Sequence, residues 1–111
     1  MLVIAGACDS EESKGLIDNT RIKLGERLIV LQNFDRGQMP EVYALADVFV
    51  LCAKKELFGI AFLEAMACGI PCIGHRYPVT EWVIGEGGMA IDMGKEGELA
   101  SVLVGLMPEW V

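Results

Sequence analysis

Two glutamates bracket the part of this chain where chemistry is concentrated, the run ELFGIAFLEAMACGIPCIG over 56–74. From Leu57 through Gly74 the only charged side chain is Glu64. An ionised carboxylate in such a setting costs several kcal/mol of desolvation unless something pairs with it, and a bound ligand is one such partner. Apolar and small residues after Gly59 predict a helix entered at Gly59 or Ile60 and closed at Gly69, followed by Pro71 and a short buried strand over 70–73. The amides of Phe58, Gly59 and Ile60 then have no carbonyl partner within the helix. They open an anion site that Gly59 lets a phosphate approach closely. Glu64 lies one turn further in, and helical side chains lean toward the N-terminus. Its carboxylate reaches the rim of that site and can accept hydrogen bonds from sugar hydroxyls. Glu56, in the loop just before, can face the site from the other side. Two acceptors beside a phosphate-binding helix end suit a nucleotide-sugar, one for the ribose and one for the transferred sugar. A purely structural reading stands beside this: Glu64 serving the helix dipole, Glu56 solvated beside Lys54 and Lys55, and the Phe58 ring in the core.

The elements that must position these residues alternate along the chain. Strands are predicted over 2–5, 28–31, 48–52, 70–73 and 89–92. Helices are predicted over 11–24, near Pro40, after Gly59, over 78–84 and over 96–107. Asp9 and Ser10 offer caps for the first helix, whose core face reads as Leu16, Thr20 and Leu24. Pro40 fits a first helical turn, and Val42, Leu45 and Ala46 supply that helix's core face. The βαβαβαβαβα order argues for a three-layer α/β sandwich with a parallel sheet of about five strands.

Within that frame, E-x-F-G-x-x-x-x-E-A-M-A-x-G, from Glu56 through Glu64 to Gly69, closely resembles the donor motif of retaining glycosyltransferases of family 4, which have the GT-B architecture. Residues 2–6, 39–51 and 78–85 resemble the second half of that family's C-terminal domain. The resemblance implies a partial Rossmann-like donor domain over 1–111. It implies a parent enzyme that transfers a sugar, with retention, from a UDP- or GDP-linked donor, with no cofactor and no metal. Glu56 would contact the transferred sugar and be the catalytic-site residue, Glu64 the ribose, and Phe58, Gly59 and Ile60 the phosphates. Gln32, Asn33 and Phe34 would lie near the base. Leu57 stands where the family usually has glycine. The family's N-terminal acceptor domain and first βα unit, with its diphosphate-binding Arg and Lys, have no counterpart here. This chain alone is therefore expected to be inactive, with that acceptor domain or another chain as partner. Edge strands left open would favour a homodimer or direct pairing of 2–5 with 48–52. Peripheral membrane association is expected of the parent and not of this piece. The alternatives are a non-catalytic Rossmann-like nucleotide-binding or interaction module and, more weakly, another GT-B enzyme such as a nucleotide-sugar epimerase.

Composition narrows the field. A formal net charge of −7 argues against nucleic acid or an anionic membrane as partner of this piece. No 18-residue run is both apolar and uncharged, and Met1 to Ala7 lacks a basic segment. The 53% hydrophobic content and mean hydropathy of +0.43 instead fit strands buried on both faces, or surface that other chain would cover. Cys8, Cys52, Cys68 and Cys72 show no metal-ligand spacing and read as reduced thiols of a cytoplasmic protein, Cys68 and Cys72 as small hydrophobes. His75 reads as a loop residue at the cleft rim, Glu81 as a cap or salt-bridge residue, and Trp82 and Trp110 as packing residues.

Overall fold

The computed structural model describes residues 1–6, 10–55 and 57–106, in two compact units, Met1–Met39 and Pro40–Val111. In the first unit, β1 (Leu2–Gly6) pairs in parallel with β2 (Leu28–Gln32), in register from Leu2↔Leu28 to Gly6↔Gln32. Helix α1 (Glu11–Leu24) connects them. The Ser10 hydroxyl accepts from the Ser13 amide at 3.0 Å, which caps the helix. Glu11 and Glu12 at its start and Arg21 and Lys23 at its end match the helix dipole. Its half-buried face carries Ile17, Thr20 and Leu24, while Leu16 is exposed. Thr20 and Leu24 of the expected stripe face inward, and Ile17 takes the inward place expected of Leu16.

The second unit runs α2 (Met39–Leu45), β3 (Phe49–Leu51), α3 (Ile60–Ala67), β4 (Cys72–His75), α4 (Pro78–Ile84), β5 (Gly88–Ile91) and α5 (Glu98–Leu106). Its three strands form a parallel ladder in the order β3-β4-β5. The central strand is the most buried, with Cys72, Ile73 and Gly74 all inside. A Cβ at Gly74 would lie 2.7 Å from both Phe62 Cζ and Thr80 Cγ2, so α3 and α4 press onto one face of β4 through the space glycine leaves. The Thr80 hydroxyl is enclosed there without a hydrogen-bond partner. Burial pushes the Cys72 thiol up to about 11.

All five expected strands are present and every pairing is parallel. Among the described residues they form ladders of two and three strands instead of one sheet, and no hydrogen-bonded ladder pairs 2–5 with 48–52. Among the described residues, no strand joins the two ladders. The strand expected at 70–73 begins only at Cys72 because the preceding residues close α3. Gly69, at φ +79°, donates to Met66 O at 2.9 Å, and Ile70 donates to Ala65 O at 3.2 Å, a Schellman closure with buried Ile70 beyond it. On α2 the inward residues are Tyr43 and, in part, Val42. Leu45 and Ala46 face out, contrary to expectation. Helix α5 starts at Glu98, just past Gly97 at φ +84°.

Candidate functional site

Because β3, β4 and β5 are parallel, the turns entering α3 and α4 gather at the carboxyl edge of one ladder, the edge where open α/β sheets bind ligands. Gly59 is the N-cap of α3 with φ 67° and ψ 33°, a left-handed conformation that glycine adopts without strain. Its carbonyl accepts from Phe62 N at 3.1 Å and Leu63 N at 3.3 Å. The amides of Ile60 and Ala61 precede these bonds and open the helix. No side chain of the described residues caps it. A Cβ at position 59 would meet the Val83 methyls at 3.2 and 3.3 Å, so α4 walls the turn as well.

Glu64 lies one turn into α3, in line with Ile60, and is half-buried. Where the sequence pointed to a ligand as partner for its charge, the structure shows a protein partner: the Tyr43 hydroxyl donates to Glu64 Oε2 at 3.2 Å. Tyr43 is 5% exposed. Its ring meets Phe49 edge-on at 5.7 Å, and Phe49 meets Phe62 in the same manner at 5.8 Å. An aromatic row thus ties α2 through β3 to α3, and its polar end rests on the site carboxylate. Sequence reasoning missed Tyr43. A buried tyrosine needs a partner for its hydroxyl, but nothing local says which.

Phe58 is 72% exposed and does not pack in the core. With Leu57, Pro78, Val79, Trp82 and Val83 it lines a groove of about 370 Å³ beside the α3 turn. Trp82 is 84% exposed, so it is not a packing residue. Glu56, Cys8 and Trp110 lie outside the described residues. Gln32, Asn33 and Phe34 belong to the first unit. There Asn33 adopts φ 53° and donates its amide to Gly6 O at 3.1 Å, while Phe34 is half-buried. His75 ends β4, and its Nδ1 accepts from Met93 N at 3.1 Å, pinning the turn after β5. Glu81 stands exposed in the first turn of α4. Cys68 is exposed and Cys72 buried, so only the second behaves as a core hydrophobe.

A larger hollow of about 570 Å³ lies at the opposite, amino edge, bordered by Met66, Ile70, Met89 and Leu106. It is remote from the α3 turn. No cluster of three or more potential metal ligands occurs among the described residues, nor any helix long and apolar enough to cross a membrane.

The glycine N-cap of α3 thus lies at the carboxyl edge of a parallel ladder, with a carboxylate one turn inside. Comparison with known proteins gives the lineage. Residues 1–102 match the model of the family "Glycosyl transferases group 1", and the chain belongs to that family. It is 34% identical over 96 residues to an N-acetyl-alpha-D-glucosaminyl L-malate synthase of Bacillus anthracis, an alignment covering 85% of this chain and 24% of that protein. It is 38% identical over 96 residues to sucrose synthase 2 of Oryza sativa subsp. japonica, covering 81% and 12%. An O-antigen chain mannosyltransferase B of Escherichia coli is 37% identical over 54 residues, covering 49% and 14%. The chain thus spans a quarter or less of the length of these relatives.

Proposed function

We propose that this chain is the second half of the C-terminal donor domain of a retaining family 4 glycosyltransferase, holding a UDP- or GDP-linked sugar. The observation that carries the reading is the left-handed glycine turn into α3 at the carboxyl edge of the ladder, with Glu64 one turn in and bonded to the Tyr43 hydroxyl. In this reading the amides at Phe58, Gly59 and Ile60 receive the diphosphate, Glu64 accepts from the ribose hydroxyls, and Glu56 accepts from the transferred hexose. Gln32, Asn33 and Phe34 lie toward the base. As the glycosidic bond lengthens, negative charge accumulates on the departing nucleoside diphosphate. Oriented amides and a helix dipole hold that charge more strongly in the transition state than in the ground state. No metal or organic cofactor is assigned a part. Acceptor contacts are assigned to none of these residues, and the donor is bound in the cytoplasm.

Calorimetric titration with UDP, GDP and a panel of their sugar conjugates tests the reading. Saturable binding of one nucleotide series is expected, abolished or strongly weakened by Glu64→Ala. Equal and unsaturable responses to all of them would discard the donor reading.

A further inference from the structure

We propose that two copies of this chain associate through the apolar face that α3 and α4 present, an inference independent of the donor reading above. Helix α3 carries one charged side chain, Glu64, and is otherwise apolar all round. Phe62 and Ala65 are buried, yet Ile60 and Leu63, one turn apart on its outer side, are 51% and 52% exposed. A helix of that composition belongs inside an assembled protein. The outer row begins two residues after Phe58, which with Leu57 and Trp82 borders the groove beside the α3 turn. Leu57 is 82% exposed. Size selects the occupant. Aromatic side chains bury about 150–250 Å² each and aliphatic ones about 60–120 Å², so these five residues expose on the order of 500 Å². The rest of the groove extends this toward the roughly 800 Å² that each partner gives to a stable interface. Charge agrees with a second copy. None of the groove or row residues is charged, so contact there buries no ion. A basic partner would find no counter-charge on the patch, and the net charge of −7 repels an anionic bilayer. A two-fold contact uses the same patch twice and needs a recess and a projection side by side. The groove of about 370 Å³ and the exposed side chains at its border supply both.

Sedimentation of the full chain across the micromolar range is expected to show a dimer. Trp82→Ser and Leu63→Gln, each at a position more than half exposed, should weaken dimerisation about tenfold or more apiece. Val104→Ser, at a position 65% exposed on α5, should leave it unchanged. Association equally strong in Trp82→Ser and Leu63→Gln overturns the inference and assigns self-association to the open strand edges. A monomer at every concentration overturns it too. So does co-sedimentation with phosphatidylcholine vesicles in place of a dimer, which would give the face to a bilayer surface. Hydroxyl-radical footprinting of the unmodified chain needs no variant to fold. Oxidation of Trp82 and Leu63 should fall as the dimer forms while that of Val104 holds. A dimer in which Trp82 is oxidised as fast as in the monomer overturns the inference.

Discussion

Replacing Glu64 with alanine removes two things, the acceptor for Tyr43 and the carboxylate proposed to hold ribose. A hydrogen bond to a charged group is worth about 1.5–3 kcal/mol, so affinity for the nucleotide should fall by roughly that amount in calorimetry. Because Tyr43 donates to this carboxylate, the fold should also lose about 1 kcal/mol in urea titration. Glu64→Gln, which keeps an acceptor oxygen, should recover most of that stability. A fully stable Glu64→Ala variant would mean that the hydroxyl finds another acceptor at no cost. Thr80 presents the opposite case. Its hydroxyl is enclosed with no partner, the residue being 1% exposed, and Thr80→Val replaces it with a methyl of similar size. A gain of about 1 kcal/mol is expected in the same titration, and a loss would reveal a hydrogen bond satisfied in solution.

Strand β4 is the element on which the second unit depends, since it is hydrogen-bonded on both edges and α3 and α4 cross its face. The Cys72 thiol reports on it. Burial raises this thiol from its ordinary 9.0 to about 11, because the charged form is the one desolvated. The unfolded chain ionises first as pH rises. The resulting contribution to stability is therefore complete below pH 9.0 and is lost between there and about 11. Alkylation with iodoacetamide at neutral pH, read by mass spectrometry, should modify exposed Cys52 and Cys68 and spare Cys72 until urea unfolds the strand. Early labelling of Cys72 would mean that β4 opens locally.

For the whole molecule the two units differ in what they bury. Leu28 is the only buried core residue of 1–39 among those described, whereas Phe62, Ala65, Ile70, Cys72, Ile73, Ile84 and Ile91 all lie in the second unit. A two-stranded ladder with one buried side chain is marginal. Amide hydrogen exchange should therefore be fastest in β1 and β2 and slowest in β4, and uniform protection would overturn this ranking. Among the described residues neither ladder is closed, and open strand edges recruit partners. Sedimentation at micromolar concentration should show self-association, and a clean monomer would mean that the edges stay free.

The order of elements was legible because each rests on local chemistry. Helix α1 starts at a serine cap and stops at Gly25, and α4 starts at Pro78 and stops at Gly85; both match their expected bounds of 11–24 and 78–84. The entry of α3 at Gly59 was legible too, because a left-handed turn ahead of a helix is most readily supplied by glycine. Faces and partners were not legible. Leu16 and Leu45 look inward by type yet lie 62% and 88% exposed, because a rotation of about one residue decides burial and only the neighbouring elements set it. The two-ladder sheet depends on hydrogen-bond pairing between strands far apart in sequence, which no local pattern encodes. The same holds for the site. Glu64 announces itself as a charge among apolar residues, but its partner Tyr43 is 21 positions away. Only the packing of α2, β3 and α3 brings the phenol to the carboxylate.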